Sequence, residues 1–153
     1  METTIVRKSS FKIIGIQFRG NNDNNACPKL WDKFAKRIAD VKPLALDPIT
    51  AFGVCSNCDI ENNIFDYTVG LEVKDLSSIP TDMISMEIPA QEYAVIESTL
   101  PTLIVTLDTI NNKWLPNSNY LRTSGPEFEL YDAAFNPEVP ESKLLLYIPI
   151  IKK

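Results

Sequence analysis

In the stretch SGPEFELYD, residues 124–132, two carboxylates and a phenol recur at every second position: Glu127, Glu129 and Tyr131. Phe128 and Leu130 fill the positions between them. Alternate residues of a strand point to opposite faces, so Phe128 and Leu130 would enter a core while the acids and the phenol share the other side. A carboxylate so placed can be solvated, can meet a positive charge, or, with its pKa raised by burial, can take a proton from water as a general base. Charged side chains are mostly exposed, and Glu127, at the start of the strand, is expected to be so. Tyr131 has two placements open to it, a lateral hydrogen bond to Glu129 or a cover over the edge of the core.

Other chemistries are poorly supplied. The chain has no histidine, which excludes Ser-His-Asp and Cys-His catalysis within it and every zinc site that needs imidazole. Cys55 and Cys58, in CSNC, have the spacing of a redox pair or of half a zinc site, but only Cys27 remains as a further thiol. A redox pair should open a helix after a strand, whereas Asn57, Asp59, Asn62 and Asn63 mark residues 56–63 as a loop. Incidental thiols are the expectation, with no metal and no cofactor. The 15 Lys and Arg against 20 Asp and Glu give a net charge of −5, which argues against direct nucleic-acid binding and against an anionic membrane surface. The opening METTIVRK lacks the order of an export signal, and no apolar run reaches the roughly 18 residues of a membrane span. A cytoplasmic protein with reduced thiols is expected.

The elements that must position the glutamates follow from periodicity. IVRKSSFKIIGIQFRG reads as a strand interrupted at Ser9-Ser10, with Phe11, Ile13 and Gly15 on one face and Lys12, Ile14 and Ile16 on the other. After the loop NNDNN, Pro28 suits a first helical turn, and Leu30, Trp31, Phe34, Ile38 and Val41 form one stripe ending before Pro43. AFGVCS (51–56) and NIFDYTVGLEV (63–73) are two further strands.

The second half repeats this plan. ISMEIPAQEYAVIEST (84–99) is a strand broken at Pro89-Ala90, and Tyr93 stands after its break as Phe11 stands after the first. A helix opens at Pro101, carries Leu103, Ile104, Leu107, Ile110 and Trp114, and stops at Pro116. EFELYD and KLLLYIPII (143–151) complete the unit, and residues 133–141 join them as a loop. The chain is long enough for one domain that buries roughly 70% of its unfolded surface. Two units of strand, helix, strand, strand, about 5–73 and 84–150, predict a single α+β domain over 1–153 with an approximate two-fold. One antiparallel sheet would carry both helices, with a groove between them where a central ligand pocket forms.

EIPAQEYAVIES, WLPNSNYLRTSGPEFELYD and the closing LLLYIPI, together with RKSSFKIIGIQFRG and FDYTVGLEV, resemble the GyrI-like small-molecule-binding domains. Such domains also form the effector-binding half of multidrug-responsive regulators of the MerR and AraC types. The resemblance covers nearly the whole chain and rests on the order and spacing of several short motifs. It implies a pocket for lipophilic, often cationic, molecules, with the glutamate of the strand after Gly-Pro at its floor. That role falls on Glu129, with Tyr67, Trp31, Tyr147, Trp114 and Tyr131 as aromatic candidates for the walls.

Those regulators carry a DNA-binding unit ahead of the effector domain, whereas here residue 5 already belongs to the first strand, so a stand-alone binder is expected. Two alternatives come with the resemblance. One is a protein partner, a topoisomerase as in the gyrase-inhibitory members or the transcription machinery. The other is hydrolysis of electrophilic toxins, with the pocket glutamate activating water.

Overall fold

The computed structural model describes residues 2–153. The kinked first segment forms β1 (Thr3–Lys8) and β2 (Phe11–Gly20), followed by α1 (Ala26–Ala35), the single turn α2 (Ile38–Val41), and strands β3 (Ala51–Asp59) and β4 (Ile64–Val73). The second half supplies β5 (Ile84–Ile88), β6 (Gln91–Ser98), α3 (Leu103–Thr109), β7 (Tyr120–Arg122), β8 (Glu127–Tyr131) and β9 (Leu144–Lys152). All nine strands among the described residues join one antiparallel sheet in the order β1-β6-β9-β8-β3-β4-β2-β5, with β7 paired to the end of β9. This α+β order reads the same from both edges once each half's strands are exchanged for those of the other.

The two kinks dictate the shape of the sheet. β1 and β2 lie six places apart in the order, about 29 Å in a flat sheet. Ser9 and Ser10 alone join them, and three Cα steps reach at most about 11 Å. The sheet must therefore curl. Lys8 sits opposite Gln91 and Phe11 opposite Ile88, so the two kinked strands run side by side and exchange partners at the kinks. Inside the curl pack Phe11, Ile13, Phe52, Val54, Ile88, Tyr93 and Phe128. Each such side chain contributes about 1.5–3 kcal/mol through its removal from water.

The outer face carries the helices in two patches. Leu30 and Phe34 of α1 cover Ile14, Ile16, Tyr67, Val69 and Leu71. Ile110, just past α3, covers Ala94, Ile96, Leu146 and Ile148.

Three expectations need correction. The first helix is not continuous to Val41: it ends at Ala35, where the Arg37 N–H reaches back to the Phe34 carbonyl and closes a tight turn. The stripe of the second helix excludes Ile104, which is 75% exposed, because 103, 107, 110 and 114 are the positions that return to the sheet. That helix also widens over Ile110–Trp114, where the Leu115 N–H bonds to the Ile110 carbonyl five residues back. Residues 56–59 are strand and not loop, so Cys55 and Cys58 both lie on β3, beyond which Ile60–Asn63 make the turn.

Candidate functional site

Glu129 occupies the middle of β8, opposite Gly53 of β3 and Leu146 of β9, on the helix-covered face at the centre of the sheet. Its Oε1 accepts two phenolic hydrogen bonds, from Tyr67 at 2.8 Å and from Tyr131 at 2.8 Å. The Tyr67 hydroxyl in turn accepts the indole N–H of Trp31 at 2.9 Å. The Trp31 ring meets Tyr131 edge-on with centroids 4.9 Å apart, and so closes a ring of aromatics around the carboxylate. Gly53 makes this possible: a Cβ there would stand 2.4 Å from the Tyr67 hydroxyl and 2.9 Å from Glu129 Oε1.

Beside Glu129 lies a cleft of about 300 Å³ when its open mouth is counted, lined by Gly53, Cys55, Glu127, Glu129, Leu146 and Ile148, with Leu107 of α3 as its roof. Only about 50 Å³ lies far enough from every wall to seat the centre of a water molecule, so a bulky guest must displace the roof. Glu129 lies deep among protein atoms yet keeps accessible surface, because it lines this cleft. Its Oε2 has no protein donor among the described residues.

Burial raises the pKa of Glu129; the two phenols pull it part of the way back, and the neighbouring Glu127 charge pushes it up again. The same burial, with Glu129 alongside, raises Tyr67 and Tyr131, so both phenols keep their protons and act as donors. Cys27 is pushed up to about 12 by burial and by Glu129, and Cys55 also rises, which holds both thiols in the unreactive protonated form.

Three ion pairs occur among the described residues: Arg19–Asp66, Arg37–Asp40 and Arg122–Glu127. Glu129 belongs to none of them. It is a carboxylate withdrawn from bulk water, held by neutral donors, with no cation of its own.

Comparison with known proteins bears on this arrangement. Residues 4–150 match the family described as Cass2, integron-associated effector binding protein. The chain belongs to this family. Among curated relatives, the transcriptional regulator BrlR of Pseudomonas aeruginosa is 30% identical over 153 residues, which are 98% of this chain and 56% of BrlR. The Cass2-family chain thus spans just over half the length of that relative. The structure of SAV2435 bound to tetraphenylphosphonium superposes with a TM-score of 0.79 at 16% identity, over 99% of this chain and 94% of the other. The C-terminal domain of EcmrR superposes at 0.71 with 16% identity, over 99% and 98%. The Cass2-family chain shares the α+β fold of both structures.

Of the six residues nominated from the sequence, the Cass2-family structure brings four together: Glu129, Tyr67, Tyr131 and Trp31. It does not bring Tyr147 to them. The register of β9 turns Leu146 and Ile148 toward the cleft and Tyr147 into the curl, stacked on Phe128 at 4.5 Å. Trp114 packs under the second helix, parallel to Tyr120 at 6.2 Å, outside the residues that line the cleft. Glu127 is only partly exposed, because Arg122 pairs with it. Sequence reasoning missed Arg122 and Gly53. A glycine inside a strand pattern signals close approach of another group, which was a usable sign for Gly53.

No helix of the described residues is long and apolar enough to cross a membrane.

Proposed function

We propose that this effector-binding chain takes lipophilic cations, with Glu129 as counter-charge and with Trp31, Tyr67 and Tyr131, which surround Glu129 but do not line the closed cleft, as the aromatic wall that an entering guest would meet. The observation that carries the reading is the cleft-lining carboxylate of Glu129, bonded by two phenols and paired with no cation. A delocalised cation suits such a place: its own dehydration costs little, it relieves the buried charge, and each ring face adds about 0.5–2 kcal/mol. The apolar remainder of the wall discriminates weakly by shape, so several cations of one size class would be accepted. The tetraphenylphosphonium held by the structural relative SAV2435 is a cation of this kind.

Titration calorimetry with tetraphenylphosphonium should give micromolar affinity, about −8 kcal/mol. Glu129→Gln should weaken it by about thirtyfold, about 2 kcal/mol, while neutral triphenylphosphine oxide changes little. Equal losses for both ligands would dismiss the counter-charge. If transcription or a topoisomerase responds to this chain, occupancy of the cleft is the event that would be read by the partner.

One feature supports a second reading. The free Oε2 and the raised pKa of Glu129 also suit a general base for water, and hydrolysis of an electrophilic ester, lost in Glu129→Gln and unaffected by tetraphenylphosphonium, would favour it.

A further inference from the structure

Glu127 and Glu129 both line the cleft, two residues apart on one face of β8, about 6.6 Å along the strand. Their surroundings differ. Arg122, brought in by the three-residue strand β7, forms an ion pair with Glu127 through one terminal nitrogen and donates from the other to Asn111 Oδ1 at 2.8 Å. Asn111 belongs to the widened turn that follows α3, so the guanidinium is held between sheet and helix, and its partners fix it at the rim of the cleft. The register supports the placement: Arg122 lies opposite Ile150, whose side chain faces the helix-covered side.

We propose that Arg122 sets the number of charges a guest can carry: by neutralising Glu127 it leaves one uncompensated carboxylate in the cleft, and so selects monocations over dications. The inference rests on the reading of Glu129 as counter-charge. A second positive centre about 7 Å from the first would arrive where Glu127 waits, and would meet the guanidinium already there. Without Arg122 the same floor would offer two carboxylates at a spacing that an elongated dication matches. Like charges brought together in a partly dry site repel strongly, whereas the exposed pairs Arg19–Asp66 and Arg37–Asp40 line no part of this cleft.

The test is the ratio of two affinities. Tetraphenylphosphonium serves as monocation and a bis(triphenylphosphonium) with a short alkyl linker as dication, titrated against the full chain by calorimetry. Arg122→Gln should raise the dication-to-monocation ratio about tenfold or more. The double variant Arg122→Gln/Glu127→Gln should return the ratio to that of the parent, and Arg122→Lys should keep it there. Asn111→Ala, which spares the ion pair and cuts only the tie to the turn, should also leave the ratio alone. A shift of both ligands by one factor in Arg122→Gln, or a changed ratio in Asn111→Ala, would overturn the proposal and reduce Arg122 to a brace.

If Arg122→Gln does not fold, Glu127→Gln reads the same quantity with opposite sign: an unpaired guanidinium should weaken the dication about tenfold more than the monocation, and equal weakening refutes the idea. Tetraphenylphosphonium binding that survives Glu129→Gln undiminished is a separate outcome, which brings down the counter-charge reading itself.

Discussion

Gly53→Ala is the most searching perturbation of the site, because one methyl group meets three of its atoms. The added Cβ would lie 2.4 Å from the Tyr67 hydroxyl, 2.9 Å from Glu129 Oε1 and 3.0 Å from Tyr67 Cζ. Gly53 has no positive φ, so the requirement is for space and not for backbone freedom. Tyr67 cannot easily yield. It is 2% exposed, packed in the core under α1, and tied to Trp31 and Glu129.

Relief therefore breaks the Tyr67–Glu129 bond. Loss of a hydrogen bond to a charged group costs about 1.5–3 kcal/mol, and overpacking adds about 1–3 kcal/mol, so about 3–5 kcal/mol of stability should be lost. Urea unfolding at neutral pH measures it, with a double-mutant cycle to assign the cause. In a Tyr67→Phe background the hydroxyl, the nearest of the three atoms, is gone and only Glu129 Oε1 and the ring carbon remain close, so Gly53→Ala should cost less by about 2 kcal/mol there. Additive losses, or a single-variant loss under about 1 kcal/mol, would show that Gly53 does not make room for the phenol and refute the account of how this carboxylate is held.

Four further outcomes are expected. Because the pKa of Glu129 is raised in the free protein, its carboxylate is lost early as pH falls, and tetraphenylphosphonium affinity should drop through that raised value, by up to about tenfold per pH unit, in a calorimetric pH series that is flat for Glu129→Gln. The sign for folding is the reverse: a carboxyl whose pKa is higher folded than unfolded contributes stability that is present below the unfolded value and lost as pH rises through the folded one. Glu129→Gln should therefore gain on the parent in urea unfolding as pH rises. Ligand-dependent fluorescence should vanish in Trp31→Phe and persist in Trp114→Phe, since Trp31 bonds to the Tyr67–Glu129 pair and Trp114 stacks on Tyr120. Tyr147→Ala should cost about 2–3 kcal/mol in unfolding, less than a fully buried ring because Tyr147 is half-buried at the edge of the curl, yet leave the cation affinity of the folded protein unchanged.

Much of the fold was open to sequence reading because local chemistry announces it. Ser9-Ser10 and Pro89-Ala90 interrupt apolar alternation at matching places, and Pro28, Pro43, Pro101 and Pro116 bracket the two helical regions. Alternation in EFELYD put Glu129 opposite to Phe128 in direction, as the sheet does.

What failed has a common physical origin, namely that period two assigns a face only when the faces differ. In KLLLYIPII both are apolar, so nothing in the segment distinguished Leu146, which meets the cleft, from Tyr147, which enters the curl. NYLRTSG offers no periodicity at all across the three residues of β7, so Arg122 could not be seen as the partner of Glu127. The Tyr67–Glu129 bond joins residues 62 apart across the intervening strand β3, and depends on register that a chain read in one dimension does not contain.

The exchange of strands at the two kinks limits how this protein can breathe. Among the described residues β1, from the first half, pairs only with β6 of the second, and β5 only with β2 of the first, while β3 and β8 lace the middle together. A hinge that parted the halves would have to unzip three ladders at once. The carboxylate thus rides on a stiff floor, and on the proposed reading the give for an entering molecule would have to come from above, where a helix of seven residues rests on the sheet through side chains alone. A search for looser or tighter variants should begin in that lid and leave the floor untouched.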